Sequence, residues 1–338
     1  MAQKLLLTGI QPSGTLHLGN YIGALLNCKN NVEKFKKDGE VLFFVADLHS
    51  LTSKKDPELV KKATMDLIAT YLASGINVAD NCNFFIQSQV PQHCELNWIF
   101  TTICPLGLLE RMTQFKDKKG KLSVEEINTG LLCYPILMAA DILLYSATDV
   151  AVGEDQLQHM EFTRDIAQKF MHVYNCPDLF VLPQGLIGKE NKRIMSLGDA
   201  TKKMSKSVGE EKDRILLTDS DDEIAKKIKV AKTDAIMGIY YDKENRPEVS
   251  NLLNIMSSIT HKSVEELSEK YKNTGTKVFK DDLTQVLIDE LSGFREKFNE
   301  YRKDEENLLT ILEKGREVAS EKASKKMAEI RKIVGLIG

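Results

Sequence analysis

Two loops of the chain contain side chains that suit phosphate chemistry. The first follows a short apolar run and places glycines at positions 9, 14 and 19 around His17 and Asn20. Glycines let the backbone approach a ligand closely, and the free N–H groups of a helix beginning near His17 would favour a phosphate. The loop is neither a G-x-G-x-x-G motif nor a P-loop, because Gly14 is not followed by Lys and Ser or Thr. A nucleotide-binding loop and a structural turn both fit these residues.

The second loop spans Thr201 to Ser207 and contains three lysines and two serines. Ammonium groups on flexible stems can close onto a polyphosphate as its charge shifts during a reaction. Lysines of this kind also occur on solvated surface loops, which is the alternative interpretation.

An apolar segment from Gly130 to Tyr145 contains a single carboxylate, Asp141. A carboxylate on an apolar helix face needs a partner, which can be a helix cap, a lysine or the N–H group of a ligand. Internal pairing and ligand binding are both compatible with the sequence.

Alternating strands and helices are predicted to position these groups. Short apolar runs predict strands at 4–9, 41–46, 83–87 and 149–152, and helical patterns at 20–28 and 56–74 separate the first three. This order predicts an α/β fold with a doubly wound, Rossmann-like parallel sheet, which binds ligands at the carboxyl ends of its strands. After about residue 188 the pattern is all-helical, with helices predicted at 221–230, 250–258, 263–271, 281–298 and 305–334.

Composition narrows the class of protein. The 338 residues are 42% hydrophobic and 28% charged, which excludes a disordered or fibrous chain and suits about two domains. The net charge of -3 provides no global positive field, so any nucleic acid must bind a local patch. The six cysteines form no C-x-x-C pair, which predicts buried, reduced thiols, and Trp98 is expected to pack in the core. Without an apolar stretch of about 18 residues, we expect a cytoplasmic protein that does not contact membranes.

The two loops together resemble the paired signatures of the class I aminoacyl-tRNA synthetases. Lys-Met-Ser-Lys-Ser at 203–207 follows His17, Gly19 and Asn20 by about 185 residues, and the family's first element is His-x-Gly-His or His-x-Gly-Asn. Within that class, the segment 130–145 is similar to the amino-acid-pocket helix of the bacterial tryptophanyl-tRNA synthetases. Segments 9–14, 110–116, 152–156, 193–197 and 250–255 extend the resemblance over nearly the whole chain.

The resemblance implies two sets of binding residues. Those that match ATP-binding positions are Gln11, Pro12, Ser13, His17, Gly19, Asn20, Gly153, Glu154, Asp155, Ile194, Lys203, Met204, Ser205, Lys206 and Ser207. Those that match tryptophan-binding positions are Tyr134, Met138, Asp141, Val152 and Gln156, and His49 follows the second strand and could face the same pocket. Asp141 would accept the indole N–H, whereas Leu7 stands at a pocket position where a bacterial relative has Phe.

The resemblance also implies the reaction and its partners. Tryptophan would be activated by ATP with Mg²⁺ and then transferred to its tRNA, with His17, Asn20, Lys203 and Lys206 as the catalytic residues. No metal ligands, prosthetic group or DNA partner are expected. The implied organisation is a catalytic domain at 1–207, a helical anticodon domain at 208–298 and a C-terminal helix at 299–338, in a homodimer. Lysines 226, 227, 229 and 232 form the clearest basic cluster for RNA, although they could equally contact only solvent.

Three alternatives remain open from the sequence. A tyrosyl-tRNA synthetase shares both loops, but it would have a tyrosine-hydroxyl reader in the pocket helix instead of the run Met138 to Asp141. A nucleotide-binding paralogue without aminoacylation would keep the fold, and only turnover distinguishes it. A simple adenylyltransferase would share the first loop but would leave the second, helical region unexplained.

Overall fold

The computed structural model describes residues 4–12, 14, 16–53, 56–76, 78, 81–120, 123, 127–187, 193–205 and 209–337. Three predicted site residues, Ser13, Lys206 and Ser207, lie outside these ranges.

A five-stranded parallel sheet forms the centre of residues 4–186, in the order β3-β2-β1-β4-β5. The strands are β1 (Lys4–Ile10), β2 (Gly39–Val45), β3 (Cys82–Ile86), β4 (Asp149–Ala151) and β5 (Gln184–Leu186). The chain adds β2 and β3 on one side of β1 and then β4 and β5 on the other, so the strand order reverses between β1 and β4. The predicted doubly wound sheet is confirmed. The sequence analysis missed β5, since three residues give too short an apolar run.

Helices cover both faces of the sheet and make up the second half of the chain. They are α1 (Leu18–Asn20), α2 (Leu26–Phe35), α3 (Asp47–Ser50), α4 (Pro57–Ala73), α5 (Gln92–Ile103), α6 (Leu106–Glu110), α7 (Thr113–Lys119), α8 (Thr129–Leu143), α9 (Leu157–Val173), α10 (Asp221–Val230), α11 (Pro247–Thr260), α12 (Val264–Tyr271), α13 (Thr276–Lys303) and α14 (Glu305–Val334). The five helices expected after residue 188 are all present.

Local sequence signals explain where several helices begin. Asp56 caps α4 by accepting a hydrogen bond from the Leu59 backbone at 3.1 Å, and Pro57 occupies the first turn. The helix predicted at 20–28 is longer, because α1 continues through a π-helical turn (Tyr21–Leu25) into α2. Such turns are frequent beside functional sites.

Alternate residues of the central strands pack into two hydrophobic cores. Leu6 and Phe43 belong to the core shared with α10, α11 and α13, whereas Leu7 and Phe44 belong to the core shared with α5, α8 and α9. This alternation follows from the two-residue period of a strand buried on both faces. The helices α10, α11 and α13 therefore share a hydrophobic core with one face of the sheet.

The long helix α14 lies across β3, the edge strand of the sheet. Gly315 makes this close approach possible, because a Cβ atom there would stand 1.8 Å from the carbonyl oxygen of Phe84. Ion pairs of Lys322 with Glu40 at 2.8 Å and of Arg331 with Glu95 at 2.6 Å hold the helix in place. The edge strand is thus covered along its length.

Several expectations about individual side chains are wrong. Trp98 is 68% exposed on α5 instead of packing in the core. Only Cys28 and Cys82 are buried, whereas Cys94 is exposed and the other three cysteines are partly exposed. Lys227 points inward and pairs with Asp219 at 2.6 Å, so it is not available as part of a surface cluster.

None of the helices in the described ranges has the length and apolar character needed to cross a membrane.

Candidate functional site

His17 organises the first loop through its own helix cap. Its Nδ1 atom accepts a hydrogen bond from the Asn20 backbone at 3.3 Å, and the Asn20 side-chain oxygen accepts one from the His17 backbone at 3.2 Å. This reciprocal capping box fixes the start of α1. His17 is buried and Asn20 half-buried, so the loop presents a pre-formed helix N-terminus at the carboxyl end of β1.

The second loop packs against the first. A Cβ atom at Gly19 would stand 3.5 Å from the Cβ of Met204 and 3.1 Å from the His17 ring, so glycine permits close contact here. The Met204 backbone donates to the carbonyl oxygen of Ile194 at 3.1 Å, and Lys203 forms a bridge with Met195. The structure therefore brings together the two loops that the sequence analysis singled out.

A short extended segment, residues 215–217, forms backbone hydrogen bonds with the first loop. The Leu18 backbone donates to Ile215 at 2.8 Å, and Leu217 donates to Leu16 at 3.0 Å. The sequence analysis missed this segment, since a single antiparallel bridge leaves no periodic pattern.

A cavity of about 480 Å³ opens between the carboxyl ends of β1 and β4, at the point where the strand order reverses. Eight predicted site residues lie on its wall: Gln11, His49, Tyr134, Met138, Asp141, Val152, Gly153 and Gln156. Leu7 also lines it, as expected, together with Phe44 and Val150. The wall is largely apolar, with polar groups concentrated at Asp141 and around Tyr134.

Asp141 is the only carboxylate of the described chain on this wall, and three side chains hold it. His93 Nδ1 lies 2.6 Å from Oδ1, His49 Nε2 lies 3.0 Å from Oδ2, and Gln87 donates to both oxygens at 2.8 and 2.9 Å. Burial alone would raise the pKa of Asp141, but the hydrogen bonds and charges of His49 and His93 outweigh it and lower the pKa to about 2. Asp141 is therefore an ionised acceptor at neutral pH.

A second network of hydrogen-bonded side chains begins on the cavity wall. The Tyr134 hydroxyl donates to Gln114 at 2.9 Å and lies 2.9 Å from His159 Nε2. Gln114 in turn donates to Asp155 at 3.2 Å, and Asp155 also accepts from Gln156 at 2.7 Å. This hydrogen-bond network connects the cavity with the segment 153–155 that follows β4.

The remaining described site residues lie outside the cavity. Pro12, His17, Gly19, Asn20, Lys203, Met204 and Ser205 belong to the two packed loops, and Ile194 is buried beneath them. Glu154 is exposed beside the cavity mouth. The sequence analysis assigned no role in the site to Gln87, His93 or Gln114. The position of Gln87 directly after β3 was the available signal, because parallel strands place their carboxyl ends at one edge.

This arrangement suits two ligands side by side. The apolar slot with a buried anionic acceptor fits a flat aromatic ring with an N–H donor. The paired loops and the helix N-terminus suit a phosphate chain. Within the described part of the chain, no group of three or more His, Cys, Asp or Glu side chains could hold a metal ion.

Comparisons with known proteins identify the family of the chain. The sequence profile of the tRNA synthetases class I (W and Y) matches residues 3–292. A tryptophan–tRNA ligase of Rickettsia conorii is 45% identical over 335 residues, which cover 99% of each chain. One from Clostridium acetobutylicum is 42% identical over 99% of this chain and 98% of its own.

A solved structure is also similar over its full length. The tryptophanyl-tRNA synthetase of Campylobacter jejuni, complexed with ADP and tryptophan, is 34% identical and has a TM-score of 0.84, covering 98% of this chain and 100% of its own. The chain belongs to the class I tRNA synthetases of the tryptophan and tyrosine group and, within it, to the bacterial tryptophan–tRNA ligase family.

Proposed function

We propose that the protein is a tryptophan–tRNA ligase, which activates L-tryptophan with ATP and transfers it to the 3′ end of its tRNA. The observation that carries this proposal is the ionised Asp141, which is buried in an apolar slot that Gln11 of the first loop also lines. An indole ring fills such a slot and donates its N–H to the carboxylate. The 45% identical relative, a tryptophan–tRNA ligase, supports the same substrate.

The first step needs no nucleophile from the protein. A carboxylate oxygen of tryptophan attacks the α-phosphorus of ATP, the bond from that phosphorus to the bridging oxygen breaks, and pyrophosphate leaves. Catalysis consists of positioning the two substrates in line and stabilising the charge on the leaving group. Tyr134 and Gln156 face the cavity where the ammonium group of tryptophan would lie.

In this proposal the two loops bind the phosphate groups of ATP. We assign ATP to Gln11, Pro12, Ser13, Gly19 and the segment 153–155, with His17 and Asn20 near its phosphates and Ile194 beside adenine. Lys203 and Lys206 would stabilise the charge that develops on pyrophosphate. ATP is used as its magnesium complex, and Mg²⁺ binds through the phosphate oxygens and water, as is usual for this ion.

The second step transfers tryptophan to RNA. The terminal ribose hydroxyl of the tRNA attacks the carbonyl carbon of the adenylate, and AMP leaves. We assign the reaction to a catalytic domain at 1–207, anticodon recognition to the helices of 208–298, and a bracing role to the C-terminal helix at 299–338. Lys226 and Lys229 are exposed on α10 and support RNA binding there.

Amino-acid-dependent exchange of pyrophosphate into ATP, measured with each of the twenty amino acids, tests the activation step. We expect exchange with tryptophan and little with tyrosine or phenylalanine. A site that forms a hydrogen bond with a substrate N–H group discriminates in kcat/KM against analogues without that group by about 10⁴- to 10⁵-fold. Absence of exchange with tryptophan would refute the proposal, and exchange with tyrosine alone would assign the protein to the tyrosyl group.

We also propose a cytoplasmic homodimer with its interface on the catalytic domain. Trp98 on α5 and Leu106 on α6 are 68% and 60% exposed, which is unusual for such large apolar side chains and suits an interface. Sedimentation should give twice the chain mass of 38.1 kDa. Trp98→Glu should shift the protein toward the monomer, and a monomeric wild type would refute the dimer.

A further inference from the structure

His93 is a fully buried histidine that faces away from the cavity. Its Nδ1 atom lies 2.6 Å from Asp141 Oδ1, and its Nε2 atom lies 2.8 Å from the hydroxyl of Tyr145. The exposed fraction of His93 is 0%, and His93 is absent from the cavity wall that Asp141 and His49 help to form. His93 therefore stands behind the carboxylate, on the side opposite to the proposed substrate.

The two carboxylate oxygens of Asp141 have different surroundings. Oδ1 accepts from His93 and from Gln87, both of which are fully buried behind it. Oδ2 faces His49, which lines the cavity, and shares only the longer contact with Gln87. Because an ionised carboxylate can only accept, His93 must donate from Nδ1. The pair Oδ1–His93 thus leaves Oδ2 as the oxygen nearest the cavity.

The Tyr145 hydroxyl fixes the ring of His93 in turn. Tyr145 is buried just after α8, and its ring is tilted by 56° to the imidazole with centroids 5.4 Å apart. Phe85 and Phe44 enclose the same ring at centroid distances of 6.0 Å. The imidazole is therefore held in one orientation by packing on its faces and a hydrogen bond at each nitrogen.

We infer that His93 is a positioning residue for substrate selection: it fixes the Asp141 carboxylate so that Oδ2 points into the cavity, and it thereby sets the preference for a ring that has an N–H donor. This inference rests on the proposed function, in which Asp141 reads the indole N–H. His93 does not touch substrate in this arrangement and acts only through Asp141.

A merely structural role for His93 makes a different prediction. Loss of a buried packing residue would loosen the whole cavity and weaken every ligand that fills it. Loss of a positioning residue should weaken only ligands that use Asp141. The sulfur analogue of tryptophan, 3-benzothienyl-L-alanine, separates the two cases because it has nearly the same shape but no ring N–H.

The experiment measures the dissociation constants of tryptophan and of the sulfur analogue by calorimetry on the full-length protein. The variants are His93→Ala, His93→Asn and His93→Gln, because the amide nitrogen of Asn can replace Nδ1 as the donor to Asp141, whereas that of Gln lies nearer to Nε2. His159→Asn is the matched control, since His159 is equally buried but contacts Tyr134 instead of Asp141.

We expect His93→Ala and His93→Gln to weaken tryptophan by about tenfold to a hundredfold and the analogue by less than about twofold. His93→Asn should restore most of the tryptophan affinity, and His159→Asn should change both ligands by the same factor. Equal losses for the two ligands in His93→Ala, or an Asn variant no better than Gln, would overturn the inference. If His93→Ala does not fold, the comparison of Asn with Gln decides.

Binding of the two ligands to the wild-type protein tests the substrate assignment separately from the role of His93. If it binds both ligands equally, Asp141 does not read the ring N–H, and the substrate assignment itself fails. If it prefers tryptophan, and Asp141→Asn abolishes that preference while the three His93 variants keep it, only the role of His93 is wrong.

Discussion

Asp141 and Lys203 are charged groups at the same edge of the sheet, but their surroundings differ sharply. Asp141 is 1% exposed and hydrogen-bonded to three side chains, whereas Lys203 is exposed and forms a backbone bridge with Met195. An acceptor that must distinguish rings has to be fixed before the ligand arrives. A cation that follows charge through a reaction needs freedom to move. In the proposed function, the two halves of the site would therefore separate selection from catalysis.

Asp141→Asn should produce the largest effect, because it places an amide where His93 and Gln87 both donate. We expect the preference for tryptophan over phenylalanine and tyrosine to fall by about 10³-fold, measured as kcat/KM in pyrophosphate exchange. Asp149→Asn is a suitable control. Asp149 lies at the amino end of β4, opposite to the end that meets the cavity, and accepts a hydrogen bond from Thr148 at 2.7 Å. A variant with its full preference for tryptophan would show that Asp141 is not the reader.

Removing the loop lysines should affect the opposite half of the site. We expect Lys203→Ala and Lys206→Ala to lower the rate of adenylate formation by about 10²-fold while tryptophan affinity changes by less than about twofold. Lys202→Ala is the matched control, because Lys202 is 61% exposed and pairs with Asp199 at 3.0 Å. Single-turnover kinetics and calorimetry give the two values, and equal losses in both would contradict the assignment.

The low pKa of Asp141 predicts a pH dependence of stability. The ionised form is favoured in the folded state, so the stabilisation is present above the unfolded pKa of about 3.9 and is lost as the pH falls toward 2. The difference is about 2 kcal/mol in the free energy of unfolding. Urea unfolding at pH 5, 4 and 3 should show a steeper decline for the wild type than for Asp141→Asn. Parallel declines would mean that the carboxylate is not held as described.

The smallest expected effect concerns the link between the first loop and the helical region. Tyr21, in the π-helical turn, donates a hydrogen bond of 2.5 Å to Glu290 on α13. Tyr21→Phe should lower the free energy of unfolding by about 1 kcal/mol. Tryptophan affinity should not change, because Asp141 lies on the other face of the sheet. Thermal unfolding and calorimetry check both parts, and a loss of tryptophan affinity would show that the two halves are coupled.

The sequence was sufficient for the fold because its signals are local. The wholly apolar run of β2, the cap at Asp56 and the helical periodicities after residue 188 each act over a few neighbouring residues. The cavity wall was also largely predictable, since eight of the residues singled out lie on it. Most of these eight residues were predicted from the resemblance to a family and not from the spacing of residue types in the sequence.

The hydrogen-bond partners of Asp141 could not be predicted in the same way. Gln87 and His93 stand 54 and 48 residues before it. The place of Gln87 directly after β3 indicates which edge of the sheet it occupies, but the local sequence does not indicate which way either side chain points. Trp98 shows the reverse error: an aromatic residue in an apolar helix was expected inside, but it lies on the exposed face of α5. Which side of an amphipathic helix meets the sheet is decided by tertiary packing.

Gly315 has a consequence for the order of events during synthesis. The strand it covers, β3, is completed at Ile86, but its outer edge stays open until a residue more than two hundred positions later has been made. An unpaired edge is a template for association with another chain. The nascent sheet is therefore exposed to mispairing until α14 has been made, and truncations before α14 should aggregate through this edge.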